Sequence, residues 1–170
     1  MEEGPIYSSL SLIYKGWDVL GREYELQENI SITANKRWFS SEVILTSAES
    51  TEMDTLVVGI VYLKGANVGL YEHADMRTLY THGKQSENND VLGMALLVSQ
   101  EDFLSTSKAP SIGDGITNSE LMYLKQKSGT YKYHFYTGWE LENSDFVDSE
   151  SFKNSLKETM EELSSELKVS

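Results

Sequence analysis

The sequence predicts a mainly β fold: an antiparallel β-sandwich with one C-terminal α-helix. Two observations carry this. Apolar residues alternate with polar ones at period two through most of the chain, in segments rich in β-branched and aromatic residues. The last segment drops that period and adopts a helical one. About eight to ten strands are expected, in a sandwich rather than a closed barrel, although the strand lengths do not decide between the two.

Taken in order, "IYSSLSLIY" puts Leu10, Leu12 and Tyr14 on one face, and "GWDVLG" reads as a turn. "EYELQENISITA" aligns Tyr24, Leu26, Ile30, Ile32 and Ala34. "TLVVGIVYL" is apolar on both faces, which suits a central, fully covered strand. "MRTLYTHGKQ" alternates again, and "GMALLVS" is short and buried in character. "LMYLKQK" and "GTYKYHFYTGW" suggest a hairpin through "KSG", where Gly129 accepts the positive φ of a tight turn. "SAESTEMD", "SENND" and "TSKAPSIGDGITNS" read as loops from their Ser, Asn, Asp and Gly content. In the closing segment Phe152, Leu156, Met160, Leu163 and Leu167 form one helical stripe, which predicts a helix over 149–168 packed on the sheet. Ser149 is the expected N-cap, with Glu150 in the first turn.

Length and charge bound the function classes. At 170 residues a single domain, 1–170, is expected. Without cysteine there is neither a disulfide nor a thiolate nucleophile. A net charge of −13 repels a phosphate backbone, so nucleic acid is not expected as a partner. No run approaches the roughly 20 apolar residues that span a bilayer, so no membrane partner is expected. The opening "MEEGPIYSSL" has no basic n-region and no apolar h-region of a signal peptide.

No nucleotide-binding, hydrolase-elbow or zinc motif is present, and His73, His82 and His134 match no zinc spacing. No cofactor and no metal site is implied; a hard cation would have to use loop carboxylates such as Asp114.

Four constellations remain. Glu28 falls on the apolar face of its strand, either as an acid–base group with a shifted pKa or as a carboxylate that meets solvent or a cation. Tyr80, His82 and Lys84 share one strand face, as do Lys132, His134 and Tyr136. In each set a ring stacks on a pyranose, a cation holds a carboxylate, and an imidazole moves a proton near neutral pH. The competing reading of the first set is an exposed strand face that happens to be mixed; that of the second is that the helix covers the face and its aromatics merely pack. Arg37 beside Trp38 pairs a bidentate carboxylate clamp with a stacking platform, or else forms an interstrand cation–π contact or a surface pair.

Several segments occur together in a recognisable order: "GPIYSSLSLIYKGW", "ISITANKRWFSSEVILT", "TLVVGIVYLKG", "LYTHGKQSENNDVLGMALLV", "YKYHFYTGWE" and the closing "SFKNSLKETMEELSSELKV". They resemble the C-terminal half of an uncharacterised bacterial domain-of-unknown-function family. That family is similar to galactose mutarotases and other sugar-binding β-supersandwich proteins, and is associated with glycan-degradation loci. The resemblance implies a partial mutarotase-like sandwich and a carbohydrate ligand, uronic-acid-containing as in pectin. It also implies export to the periplasm or cell surface, at odds with the missing signal pattern and suggestive of a truncated gene or fragment. The family has no established mechanism to carry over.

Three functional expectations follow. The first is a carbohydrate-processing protein of polysaccharide degradation that acts through His82 or His134 with Glu28, with Tyr80, Lys84, Lys132, Tyr136, Arg37 and Trp38 lining a concave cleft. The second is a non-catalytic carbohydrate-binding module. The third is a chain inert without a further half, for which exposed apolar strand edges and self-association are the sign.

Overall fold

In the computed structural model, residues 1–47, 55–113, 118–127 and 129–167 are described, the side chains of 166 and 167 excepted. The strands are β1 (Glu2–Glu3), β2 (Tyr7–Val19), β3 (Arg22–Thr33), β4 (Trp38–Thr46), β5 (Thr55–Val61), β6 (Asn67–His73), β7 (Met76–Lys84), β8 (Val91–Ser99), β9 (Phe103–Lys108), β10 (Ser119–Lys125) and β11 (Thr130–Trp139). A 3-10 turn at Ser144–Val147 leads into α1 (Ser149–Leu167). All strand pairs are antiparallel. One sheet has eight strands in the order β1-β2-β3-β4-β11-β8-β7-β6, and the other has three in the order β5-β10-β9. The expected mainly β sandwich with a C-terminal helix is the observed architecture.

The large sheet is the middle layer. On one face, α1 lays Phe152, Leu156, Met160 and Leu163 against Trp38, Met76, Tyr80, Ala95, Leu97 and Tyr136. On the other face, Leu56, Ile60, Met122 and Leu124 of the small sheet meet Val43, Leu79, Leu96, Val98 and Tyr131. β11 therefore buries Tyr131 toward the small sheet and Tyr136 toward the helix, while Lys132 on the helix side stays exposed. Gly93 and Gly138, paired across β8 and β11, form the seat of Phe152: a Cβ on Gly93 would lie 2.1 Å from its ring.

Several local expectations need correction. "GWDVLG" is mostly strand; only Leu20 and Gly21 turn, both at positive φ (55° and 82°), as a two-residue hairpin loop requires. β5 is an edge of the small sheet rather than a central strand, and Val57 and Val61 face outward. The expected tight turn is present, with Lys127 bridged to Thr130 and Gly129 at φ 87°, but β10 and β11 are not hairpin partners: the turn carries the chain from the small sheet to the large one. β4, β6 and β9 add to the alternating segments. Adjacent Ser40 and Ser41 blur the alternation of β4, Gly69 interrupts β6, and β9 carries mostly Ser and Thr. The helix cap is Asp148, whose Oδ2 accepts from the Ser151 backbone N–H at 2.9 Å; Ser149 is already helical. Backbone and hydroxyl donors from Ser151 hold the Asp148 carboxyl below its usual pKa. Asp114 lies outside the described residues, as does the side chain of Leu167.

Cover over the large sheet is uneven. The helix lies over the β11-β8-β7-β6 half, and β2 and β3 extend beyond it. On the small-sheet side of that outer flank, Leu10, Leu12, Tyr14 and Ile32 stay exposed. Among the described residues no helix is long and apolar enough to cross a membrane.

Candidate functional site

The helix side of the outer flank is a trough. Strand alternation places two polar rows side by side there. Register pairs Ser9 with Ser31, Ser31 with Ser40, and Ser40 with His134. One step along, Ser11 faces Asn29, Asn29 faces Glu42, and Glu42 faces Lys132. The trough is open to solvent and has a volume of about 1350 Å3. Tyr7 stands at its rim, Met76 and Leu163 form the wall against the helix, and Asp75, Glu101, Asp102 and Lys127 close one end.

Its polar groups are organised. Ser11 Oγ and Gln27 Nε2 both donate to Asn29 Oδ1, at 2.7 and 3.1 Å. Ser40 Oγ and His134 Nδ1 share a hydrogen bond of 2.9 Å. The His134 ring stands edge-on to Trp38 with centroids 5.3 Å apart. Burial, aided by the charge of Lys132, lowers the His134 pKa to about 4, so the ring is neutral at pH 7. Lys132 Nζ lies 3.2 Å from Glu42, and Lys127 Nζ lies 3.0 Å from Glu101. Asp102 is buried, and burial raises its pKa against the pull of Lys127.

The sequence-derived candidates are scattered over several places. His134 and Lys132 line the trough. Tyr80, His82 and Tyr136 share the same sheet face, but β8 separates their two strands and α1 covers them. His82 is buried and donates from Nε2 to the Phe146 carbonyl at 2.8 Å, with its ring 5.1 Å from that of Phe152. Tyr80 packs on Tyr71 and Phe152, and Tyr136 Oη meets Ser155 Oγ at 2.8 Å. Lys84 is exposed at the end of β7.

Glu28 points to the opposite face from both histidines. It accepts from Ser41 Oγ at 2.5 Å and from Tyr133 Oη at 3.0 Å, so a hydroxyl and a phenol, rather than a cation, satisfy it. Burial, reinforced by the Glu28 charge, pushes the Tyr133 pKa up to about 12. No histidine–Glu28 pair is formed. Arg37 does clamp a carboxylate bidentately, but the carboxylate is the chain's own Glu142, at 3.0 and 2.6 Å, and its guanidinium lies 5.2 Å from the Phe146 ring centroid. Trp38 is buried beneath His134.

Sequence reasoning missed Tyr7, Ser9, Ser11, Asn29, Ser31 and Ser40. Their signal was the polar half of the same alternation that revealed Leu10, Leu12 and Ile30. Among the described residues no group of three or more His, Asp or Glu side chains is placed to hold a metal ion.

A family model described as a domain of unknown function (DUF4861) matches residues 1–169. No curated protein and no solved structure matches the chain significantly.

Proposed function

This chain belongs to the DUF4861 family, and we propose that it binds an oligosaccharide in the open trough on the helix side of its large sheet. The observation that carries this reading is the pair of polar rows crossing β2, β3, β4 and β11. They set hydroxyl, amide and imidazole groups at regular spacing on a rigid surface, and sugar hydroxyls pair with such groups as both donors and acceptors. Tyr7, 42% exposed at the rim, offers a ring on which a pyranose face can stack. The resemblance of the segments to mutarotase-like proteins of glycan-degradation loci supports the same ligand class. Calorimetric titration with a panel of linear oligosaccharides tests it. Binding that His134→Ala and Asn29→Ala each weaken by ~10-fold is expected, in line with a lost hydrogen bond to a buried or charged partner. Binding untouched by both substitutions, or no binding at all, overturns it.

A second reading, catalysis, rests on one further observation. The same trough is lined by His134, an imidazole that burial keeps neutral, and by Asp102, a carboxyl whose pKa burial raises. In this reading the neutral His134 ring accepts the proton, and Asp102 is the carboxyl that shares the trough with it. New sugar signals growing with time in an NMR sample, abolished by His134→Gln with binding retained, support it. Their absence across the bound members of the panel leaves the binding role alone.

A further inference from the structure

We infer, resting on the oligosaccharide reading above, that the trough takes an uncharged glycan laid across the strands rather than a uronate-rich one. The direction follows from the rows. The four strands β2, β3, β4 and β11 set three interstrand steps of ~4.8 Å each, so each row runs ~14 Å perpendicular to the strands. Several linked pyranoses fill that length, and a single one does not. The volume of the open trough, about 1350 Å3, also exceeds the ~300–1,000 Å3 of an ordinary small-molecule site.

The charge follows from the cations. Both ammonium groups that line the trough already face a carboxylate, Lys132 with Glu42 and Lys127 with Glu101. Asp75 and Asp102 add two more carboxyls to the lining, so acid exceeds base. Arg37 does not line the trough, and its guanidinium is clamped by Glu142. The rest of the rows is Ser hydroxyl, Asn amide and a neutral imidazole. An incoming uronate that took Lys132 from Glu42 would leave that glutamate beside it as an unpaired like charge, for no net gain. The field of a chain at −13 acts in the same direction.

The test offers linear tetraoses to the full chain in matched pairs: each neutral tetraose and its C6-carboxylated counterpart, including tetragalacturonate and its fully methyl-esterified form. Calorimetry at low salt reads both members. At least ~10-fold tighter binding of the neutral member is expected, with the gap narrowing as salt rises. Glu42→Gln, which frees Lys132, is expected to shift the preference toward the carboxylate. Equal or tighter binding of the carboxylated member by the native chain overturns this inference and leaves the oligosaccharide site standing. If no member of any pair binds, both fall.

Discussion

One face of the large sheet contains two regions built from the same strand geometry with opposite outcomes. Over β11, β8, β7 and β6 the residues that point toward the helix are Tyr136, Ala95, Leu97, Tyr80 and Met76, and α1 seals them. Over β2, β3 and β4 the residues pointing the same way are Ser9, Ser11, Asn29, Ser31, Ser40 and Glu42, and they border an open trough. The helix reaches as far as its own stripe has apolar partners. Where the sheet turns polar, cover stops. Trp38 and His134 sit on the boundary, edge to face, one buried and one half in the trough. A chemistry-bearing side chain is accessible or locked according to which side of that boundary it occupies. This is why His82, alike in composition and neighbours to His134 in the sequence, is bonded to a backbone carbonyl under Phe152.

Breaking the covered half has the largest expected effect. Phe152→Ala removes the ring seated on Gly93 and Gly138 and is expected to cost ~3–5 kcal/mol, read from the urea midpoint. Gly93→Ala places a methyl carbon inside the same seat and is expected to destabilise comparably; a neutral result would mean the ring does not sit there.

The boundary is probed next. The His134 pKa is lowered in the folded chain to about 4, against about 6.5 when unfolded. Between those values the unfolded chain binds the extra proton, so stability is full above pH 6.5 and declines as pH falls toward 4. The decline attributable to His134 reaches at most ~3 kcal/mol. His134→Gln is expected to flatten that part of the profile, measured as unfolding free energy from pH 4 to 7. An unchanged slope would show that the ring titrates freely.

The smallest effects belong to the open half. Ser31→Ala is expected to change stability by no more than ~0.5 kcal/mol while lowering oligosaccharide affinity. On the opposite side of that flank, Leu12→Lys is expected to leave stability within the same ~0.5 kcal/mol and to reduce any self-association seen by sedimentation, because Leu12 is already exposed.

Much of the fold was legible because period-two alternation and one helical stripe are direct consequences of burial on one face. The stripe Phe152–Leu156–Met160–Leu163 needed no tertiary information. What was not legible is which layer each strand joins. "LMYLKQK" and "YKYHFYTGWE" look like hairpin partners because a glycine lies between them, yet β10 enters the small sheet and β11 the large one. The same limit applied to the site. Two faces with matching Tyr, His and Lys content are equal in sequence, and only the footprint of α1 distinguishes them. Glu28 read as an anomaly because its partners, Ser41 and Tyr133, come from other strands and are not cations. The polar rows were visible as residues but not as a site, since serines opposite leucines also describe an ordinary solvated face.

The most direct test of the division between covered and open halves is a two-dimensional amide NMR titration of the chain with a neutral linear tetraose found to bind. Shifts are expected at Ser9, Ser11, Asn29, Ser31, Ser40 and His134, with Tyr80 and His82 unmoved. Shifts centred on Tyr80, His82 and Tyr136 would mean that the ligand displaces the helix and that the covered face, not the trough, is the site.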